Sequence, residues 1–353
     1  MGDNMSLFKE KEAIEHNDIT AQVREREANT PELDTYIPWL DGETEAKPVK
    51  PPISRDVSVI IDADSILYMA AHVGDNNYVP QEPKQSGALF QDKVTSLLDE
   101  QTNTFDAIIN RISNDVTEKL SWKGLGVKEI VLLFTPRDMV RLEQKLQPNF
   151  RYRIVREYNE FMTAVYEHME GFTYTPLKGY KANRVNMPSP PNVAEIMQHA
   201  IKTYKHILAD GCEADDVAYR LKVDNPNDVV LCAIDKDILH GTPTGGIDHY
   251  NFRKDEWVST EESDAWLFVY RQALMGDASD GIPGIYRCGV KTAEKILPTW
   301  LGHEESWKVV LDEYIQRGYT EEYAVLMFRL VYLGQFTSGG DIQLWSPQFS
   351  KKD

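Results

Sequence analysis

Short carboxylate groups recur along this chain, each at the end of an apolar run or the start of a helical pattern: Asp62/Asp64, Asp138, Glu213/Asp215/Asp216, Asp235/Asp237 and Asp277/Asp280. Hard divalent cations such as Mg²⁺ take oxygen ligands and keep several waters, so a pocket for two of them draws on Asp and Glu rather than Cys or His. In a two-metal site one ion lowers the pKa of an attacking water and both steady the attacking and leaving oxygens of an in-line displacement. Hydrolysis of a phosphodiester is the chemistry such a pocket serves.

Spacing supports a shared pocket. Asp62/Asp64 and Asp235/Asp237 are two residues apart, so each pair projects to one side of an extended strand end. Glu213 and Asp216 are three apart and share a face if Cys212 to Lys222 is helical, with Asp215 beside them near the helix start. Like charges gathered this closely raise one another's pKa and destabilise the fold unless a cation intervenes. Taken singly, each group also has a plain reading as a helix cap or turn residue, and Asp216 could pair with Arg220 one helical turn on. Together, all at sheet-end positions, they are harder to read that way. The eight His residues are scattered without metal-ligand spacing and offer no rival site.

The elements that must position these acids read as an α/β fold: a mostly parallel sheet with flanking helices. Three apolar runs, Val57 to Ile61, Glu129 to Phe134 and Val229 to Ile234, have the composition of strands buried on both faces. Helical patterns over Phe105 to Leu120, Asn192 to Leu208 and Ala214 to Val223 imply βαβ crossovers between them. Ligands of open sheets bind beyond the carboxyl ends of the strands, where Asp62 and Asp235 fall directly and Asp138 a few residues late. Residues 1–52 form a polar extension ending in a Pro-rich linker, with a thinly amphipathic helix pattern over Glu10 to Glu27. The α/β core is expected over 53–254 and a mainly helical region over 255–353, with a Gly-rich turn at Gly281 to Gly289.

Composition excludes several classes. With 353 residues the chain can bury a large core, and its most apolar stretch, Val57 to Ala71, is broken by Asp62 and Asp64, so no membrane span or secretory signal is expected. Three Cys without C-x-x-C spacing argue against a disulfide framework or structural zinc and fit the cytoplasm. A formal net charge of −18 speaks against nucleic acid as a partner on its face. Cations would neutralise the acids, however, and Arg137, Arg141, Lys145, Arg151, Arg153, Arg156, Lys178, Lys181 and Arg184 crowd one stretch, leaving room for a local basic surface.

The ordered set Ile60-Ile-Asp-Ala-Asp64, Tyr180-Lys-Ala-Asn-Arg184, Cys212-Glu-Ala-Asp-Asp216, Ile234-Asp-Lys-Asp237 and Gly276 to Ala293 resembles the 5′ nuclease superfamily, most nearly the bacteriophage 5′→3′ exonucleases and flap endonucleases. The resemblance covers roughly 57 to 300 and implies a helical arch (about 136–195) over the site and a C-terminal helix–two-turn–helix element. It assigns Asp62, Glu213 and Asp215, with Asp138, to a first Mg²⁺, and Asp216, Asp235, Asp237, Asp277 and Asp280 to completing it and forming a second. Mn²⁺ is expected to substitute. Lys181 and Arg184 match the family's catalytic basic pair at the scissile phosphate, and Tyr180 its aromatic on which a terminal base stacks. Gly284, Gly289, Lys291 and Thr292 match the element that meets duplex phosphates, with a monovalent cation such as K⁺ held nearby. Asp64 matches no core ligand.

Two departures stand out: Arg287 occupies a position usually Gly, and Phe134-Thr135-Pro136-Arg137 carries no second-strand acid, so Asp138 is taken in its place. The stretch before Tyr180 is rich in aromatics and cations (Phe150, Tyr152, Tyr158, Phe161, Tyr166, Phe172, Tyr174), the residue types of a single-strand passage and equally of a packed helical insertion. The activity implied is a metal-dependent 5′→3′ exonuclease with flap endonuclease activity on DNA with 5′ ends, flaps or nicks, extending to RNA in RNA–DNA hybrids. A monomer is expected, with replication proteins as partners and the host cytoplasm as location if the chain is phage-encoded. Two rivals are carried: a non-catalytic nucleic-acid-binding relative with a lapsed metal site, and a haloacid-dehalogenase-type phosphatase using Asp62 as nucleophile, which leaves the remaining motifs unexplained.

Overall fold

The computed structural model describes residues 49–73, 87–169, 173–184, 189–337 and 340–347, without the side chains of 87–96. The Glu10 to Glu27 helix pattern and Phe172 lie outside the described residues. The chain divides into the units Met1–Val49 and Lys50–Asp353, and every described strand and helix belongs to the second.

A six-stranded sheet runs in the order β3-β2-β1-β4-β5-β6. Its strands are β1 (Arg55–Asp62), β2 (Leu125–Phe134), β3 (His206–Leu208), β4 (Val229–Ala233), β5 (His249–Asn251) and β6 (Glu256–Val258). All neighbours pair parallel except β6, which returns antiparallel on β5. In β4 the odd residues Val229, Leu231 and Ala233 join one hydrophobic cluster and the even residues Val230 and Cys232 join the other. In β2, Val131 and Leu133 alternate with Leu132 and Phe134 in the same way. Period-two side-chain direction with apolar residues on both phases is what makes these strands central.

The expected strands are thus present, and three more join them. Strands β3, β5 and β6 have three residues each, too short to leave a periodic signal. The helix expected over Asn192 to Leu208 ends earlier. Helix α5 (Val193–Thr203) stops where Tyr204 turns extended, and His206–Leu208 instead pair with Leu132–Phe134.

Helices cover both faces. On one lie α1 (Asp64–Ala71), α2 (Gly87–Trp122) and α5. The stripe Phe105, Ile109, Ile112, Val116 and Leu120, at three- and four-residue spacing, is the buried side of α2. On the other lie α4 (Phe150–Glu167), α6 (Ala214–Asp224), α7 (Lys236–Gly241) and α8 (Glu262–Met275). The same cluster takes in α9 (Val290–Ile296), α10 (His303–Gln316) and α11 (Glu321–Val331), so the C-terminal helices share one apolar cluster with the sheet. The short α3 (Asp138–Glu143) follows β2. Within the stretch expected as an arch, α4 is a packed helix. Phe150, Ile154 and Val155 bury into the cluster that holds Tyr323, Ala324 and Leu330, and Tyr158 meets Tyr323 edge-on at 6.2 Å. Tyr152 and Phe161, about half a turn apart around the helix, are both exposed.

One buried residue ties stability to pH. His249, on β5, donates from Nε2 to the Thr242 carbonyl at 2.8 Å, while Nδ1 is buried with no hydrogen-bond partner among the described residues. Burial pushes its pKa down to about 4, the Thr242 bond opposing and nearby Lys222 adding. The folded state therefore holds His249 neutral, and the unfolded chain gains a proton first as pH falls through about 6.5. Stability is expected to drop by up to roughly 3 kcal/mol between pH 6.5 and 4 from this residue alone. Urea titrations of His249→Gln across that range should show a flatter profile than the parent. An unchanged slope would count against it.

Candidate functional site

Strand order reverses at β1: β2 and β3 lie to one side and β4 and β5 to the other. At such a switch point the helices leave a crevice beyond the strand ends. The polypeptide delivers Asp62 there as the last residue of β1 and Asp235 as the N-cap of α7, where its carboxylate accepts the Asp237 N–H at 2.8 Å. Helix α6 begins beside them. Glu213 is its N-cap, Asp215 lies in its first turn, and the Glu213 N–H donates to Asp216 at 2.9 Å in a capping box.

The electrostatics place these acids in one another's field. Burial pushes Asp62 up to about 8, with the charges of Asp64 and Asp235 adding to it. Asp215 is raised well above the carboxylate range by burial and then by Asp62, Asp235 and Glu213. Asp237 is pushed up to about 7 by burial and Asp235, against the pull of Lys236. Asp62, Asp64, Glu213, Asp215 and Asp235 thus form one mutually repelling group.

A basic clasp faces that group. The Lys181 ammonium pairs with Glu213 and lies 3.7 Å from Asp280. Burial alone would raise the Glu213 pKa, but the charges of Lys181 and Arg151 hold it below the usual range. Arg184 pairs with Asp280 at 2.5 Å and donates from Nε to the Ser279 carbonyl at 3.0 Å. The backbone closes the clasp: Lys181 N–H donates to the Asp280 carbonyl at 2.8 Å, and Lys181 takes the left-handed conformation at φ 55°. A non-Gly residue held there stores strain of about 1–3 kcal/mol, which a functional constraint can explain.

Asp237 and Asp277 stand together on the other flank. Lys236 lies 3.0 Å from Asp277 and 3.9 Å from Asp237, and Gln272 donates to Asp237 at 2.9 Å. Ser279 fastens Asp277 by its N–H at 2.7 Å.

Three candidates sit elsewhere than the sequence suggests. Asp138 opens α3 with its side chain 90% exposed and paired with Arg141 at 3.0 Å, outside the buried group. Asp216 is fully buried and gives both carboxylate oxygens to Arg151, at 2.5 and 2.7 Å, rather than to the pocket or to Arg220. The Tyr180 ring is 3% exposed, and its hydroxyl lies 2.8 Å from Glu213 and 2.9 Å from Asp280, so a base does not reach its face in this arrangement. Tyr152 meets it edge-on at 5.4 Å and is 49% exposed. Conversely, Asp64, which matched nothing, is brought in: both its oxygens accept the Thr135 N–H at 3.1 Å at the end of β2. Arg151, Thr135, Lys236 and Gln272 were missed by sequence reasoning; they bind side chains far along the chain, and no spacing signals that.

The Gly-rich turn is tight. A Cβ on Gly276 would lie 2.2 Å from the Ile282 carbonyl oxygen and one on Gly284 2.3 Å from the Gly276 nitrogen, so these glycines are required by close approach. Arg287 adopts φ 58° itself, which is how the turn accommodates a residue other than Gly. Gly289, the N-cap of α9, has no atom within 4 Å of an added Cβ. Lys291 is exposed in the first turn of α9, and the Thr292 N–H caps back to the Gly289 carbonyl at 2.9 Å.

As the side chains stand, no group of three His, Cys, Asp or Glu among the described residues is arranged to hold a metal ion. The donor chemistry nonetheless suits a hard divalent cation: all-oxygen, anionic, self-repelling and partly buried, with Asp62 and Glu213 buried and Asp64, Asp215 and Asp235 half-buried. Among the described residues no helix is long and apolar enough to cross a membrane.

Comparison with known proteins yields a consistent likeness. No family model matches the chain. The chain is 32% identical over 140 residues to a 5′–3′ exonuclease of Buchnera aphidicola subsp. Schizaphis graminum, covering 35% of this chain and 47% of that protein. It is 31% identical over 150 residues to the thermostable DNA polymerase I of Thermus aquaticus, covering 36% of this chain and 17% of that one. The chain therefore spans about half the length of the exonuclease and a small part of the polymerase. Among solved structures, a bacteriophage T5 flap endonuclease complex with DNA and metal ions aligns at 15% identity with a TM-score of 0.46, covering 79% of this chain and 90% of that one.

Proposed function

We propose that the protein is a divalent-metal-dependent 5′→3′ nuclease that hydrolyses DNA at 5′ ends, nicks and flaps, with RNA of RNA–DNA hybrids as a second substrate. The observation that carries this reading is the pairing of Lys181 with Glu213 and of Arg184 with Asp280 on the edge of a buried carboxylate group. A cationic pair on the rim of an anionic pocket is what a phosphodiester bridging metal and protein needs. Bound Mg²⁺ would polarise phosphate oxygens and supply hydroxide near neutral pH.

The chain's own residues do the rest. Asp62, Asp64, Glu213, Asp215 and Asp235 would hold the first ion, Asp237 and Asp277 together with Asp235 would hold the second, and Asp280, which stands with Lys181, Arg184 and Glu213, would close the pocket on the clasp side. Lys181 and Arg184, which pair here with Glu213 and Asp280, would meet the phosphate and stabilise the charge developing on it. Lys291, exposed beside the open N-cap Gly289, would meet a duplex phosphate. A monovalent cation such as K⁺ belongs to the same proposal. Tyr152 offers the accessible aromatic face. A phosphatase using Asp62 would leave both basic pairs without a role.

The test is cleavage of a 5′-labelled flap and a nicked duplex by the purified full chain in Mg²⁺ and in Mn²⁺. Absence of metal-dependent cleavage together with tight flap binding in Ca²⁺ would turn the reading to the non-catalytic relative.

Within this reading Asp64 takes the place expected of Asp138, since its carboxylate rests on the end of β2. Asp64→Asn is expected to lower the cleavage rate about 10²-fold, in line with loss of a charge-stabilising group. Asp138→Asn, altering an exposed pair, should stay within about twofold. Steady-state rates of both variants decide; the reverse order would restore Asp138.

A further inference from the structure

Arg151, the second residue of α4, is 1% exposed although it is a cation in the apolar side of the fold. Its Nη1 and Nη2 meet the two oxygens of Asp216 at 2.5 and 2.7 Å. Nε donates to the Leu330 carbonyl at 2.9 Å and Nη2 also reaches the Tyr332 carbonyl at 3.2 Å. Asp216 in turn accepts the Glu213 N–H at 2.9 Å. Three distant regions therefore meet at one guanidinium: the start of α4, the acid-bearing start of α6, and the carbonyl end of α11.

We propose that Arg151 is a positioning residue that withdraws Asp216 from the metal-ligand set and fixes the start of α6, so that Glu213 and Asp215 face the pocket. The inference rests on the nuclease reading above. Three physical reasons support it. Each oxygen of Asp216 is taken by a charge-assisted bond in bidentate geometry, the strongest arrangement a carboxylate makes with protein. A neighbouring acid left free would add a further anion to a pocket whose members already repel. The partially negative C-terminal end of α11 favours a cation at that spot, so the C-terminal helices determine where the guanidinium stands and, through it, how α6 begins. Lys cannot replace Arg here, because one ammonium cannot span both carboxylate oxygens and two carbonyls in a planar fork.

The test uses the full chain with Arg151→Lys, Asp216→Asn and the charge-neutral double variant R151Q/D216N. Mn²⁺ binding is followed by the electron paramagnetic resonance of free Mn²⁺, flap binding by anisotropy in Ca²⁺, cleavage by kcat and KM in Mg²⁺, and folding by circular dichroism. Asp216→Asn should bind Mn²⁺ within about threefold of the parent, because its amide oxygen can keep the bonds from Arg151 Nη1 and the Glu213 N–H that set the start of α6, and the lost carboxylate charge is not a ligand. Arg151→Lys should lose at least about tenfold in kcat with KM for the flap nearly unchanged, and so should the double variant, which keeps the buried site neutral should the single changes fail to fold. Folded Asp216→Asn with Mn²⁺ affinity reduced more than tenfold would make Asp216 a ligand and overturn the proposal. Parental kcat in the folded double variant would overturn it as well. A parent that neither binds nor cleaves flaps would instead sink the nuclease reading, and this inference with it.

Discussion

Replacing Asp215 by Asn is expected to lower Mg²⁺-dependent flap cleavage by about 10³-fold or more and, in EDTA, to raise the melting temperature by about 2–4 °C. The two effects have opposite signs for one reason. Asp215 is half-buried in the field of Asp62, Asp235 and Glu213, so its charge costs stability whenever no cation is present. The same charge is what would draw a divalent ion into the pocket. Differential scanning calorimetry in EDTA and cleavage rates in Mg²⁺ measure both. A variant that loses activity and stability together would make Asp215 a structural acid rather than a ligand.

Lys181→Met should cost about 10²–10³-fold in kcat, the scale for removing one group that stabilises developing charge. Flap binding in Ca²⁺ should change far less, because on the proposed reading other cations and backbone N–H groups would meet the remaining phosphates. Lys181 is held in a left-handed backbone conformation with its ammonium on Glu213, so the side chain is aimed before substrate arrives. Arg184, 46% exposed, should contribute more to binding, and its loss should appear mainly in KM. Single-turnover kinetics separate these outcomes. Equal kcat for parent and Lys181→Met would remove Lys181 from the chemistry.

Much of this arrangement was legible in the sequence, for identifiable reasons. Central parallel strands announce themselves because both faces are apolar, so Val57 to Ile61 and Val229 to Ile234 could be read directly, and with them the placing of Asp62 and Asp235. A helix over Cys212 to Lys222 with Glu213 and Asp216 on one face was expected; it begins at Ala214, which makes Glu213 its N-cap. What escaped was decided by contacts between residues far apart in the chain. Arg151 and Asp216 are 65 residues apart, and neither shows locally that its partner is the other. Tyr180 carries the right residue type for stacking but is buried by the clasp of 180–184 onto 278–280, a tertiary fact. Asp138 follows β2 in sequence, yet α3 begins at that residue and turns its side chain outward.

The bonds between Asp64 and the Thr135 N–H bear on how an acid's place in a site is read from sequence. Neighbouring parallel strands lie about 4.8 Å apart, and a carboxylate just past the end of one can accept a hydrogen bond from the end of the next, as Asp64 does from the Thr135 N–H. An acid borne by one chain segment can therefore serve a place beside the neighbouring strand. Position in the chain is then a poor guide to role: on the nuclease reading proposed above, the missing acid after β2 would be supplied by Asp64, whose carboxylate rests on the end of that strand. Loss and relocation look alike in sequence and are told apart only by where the charge ends up in space.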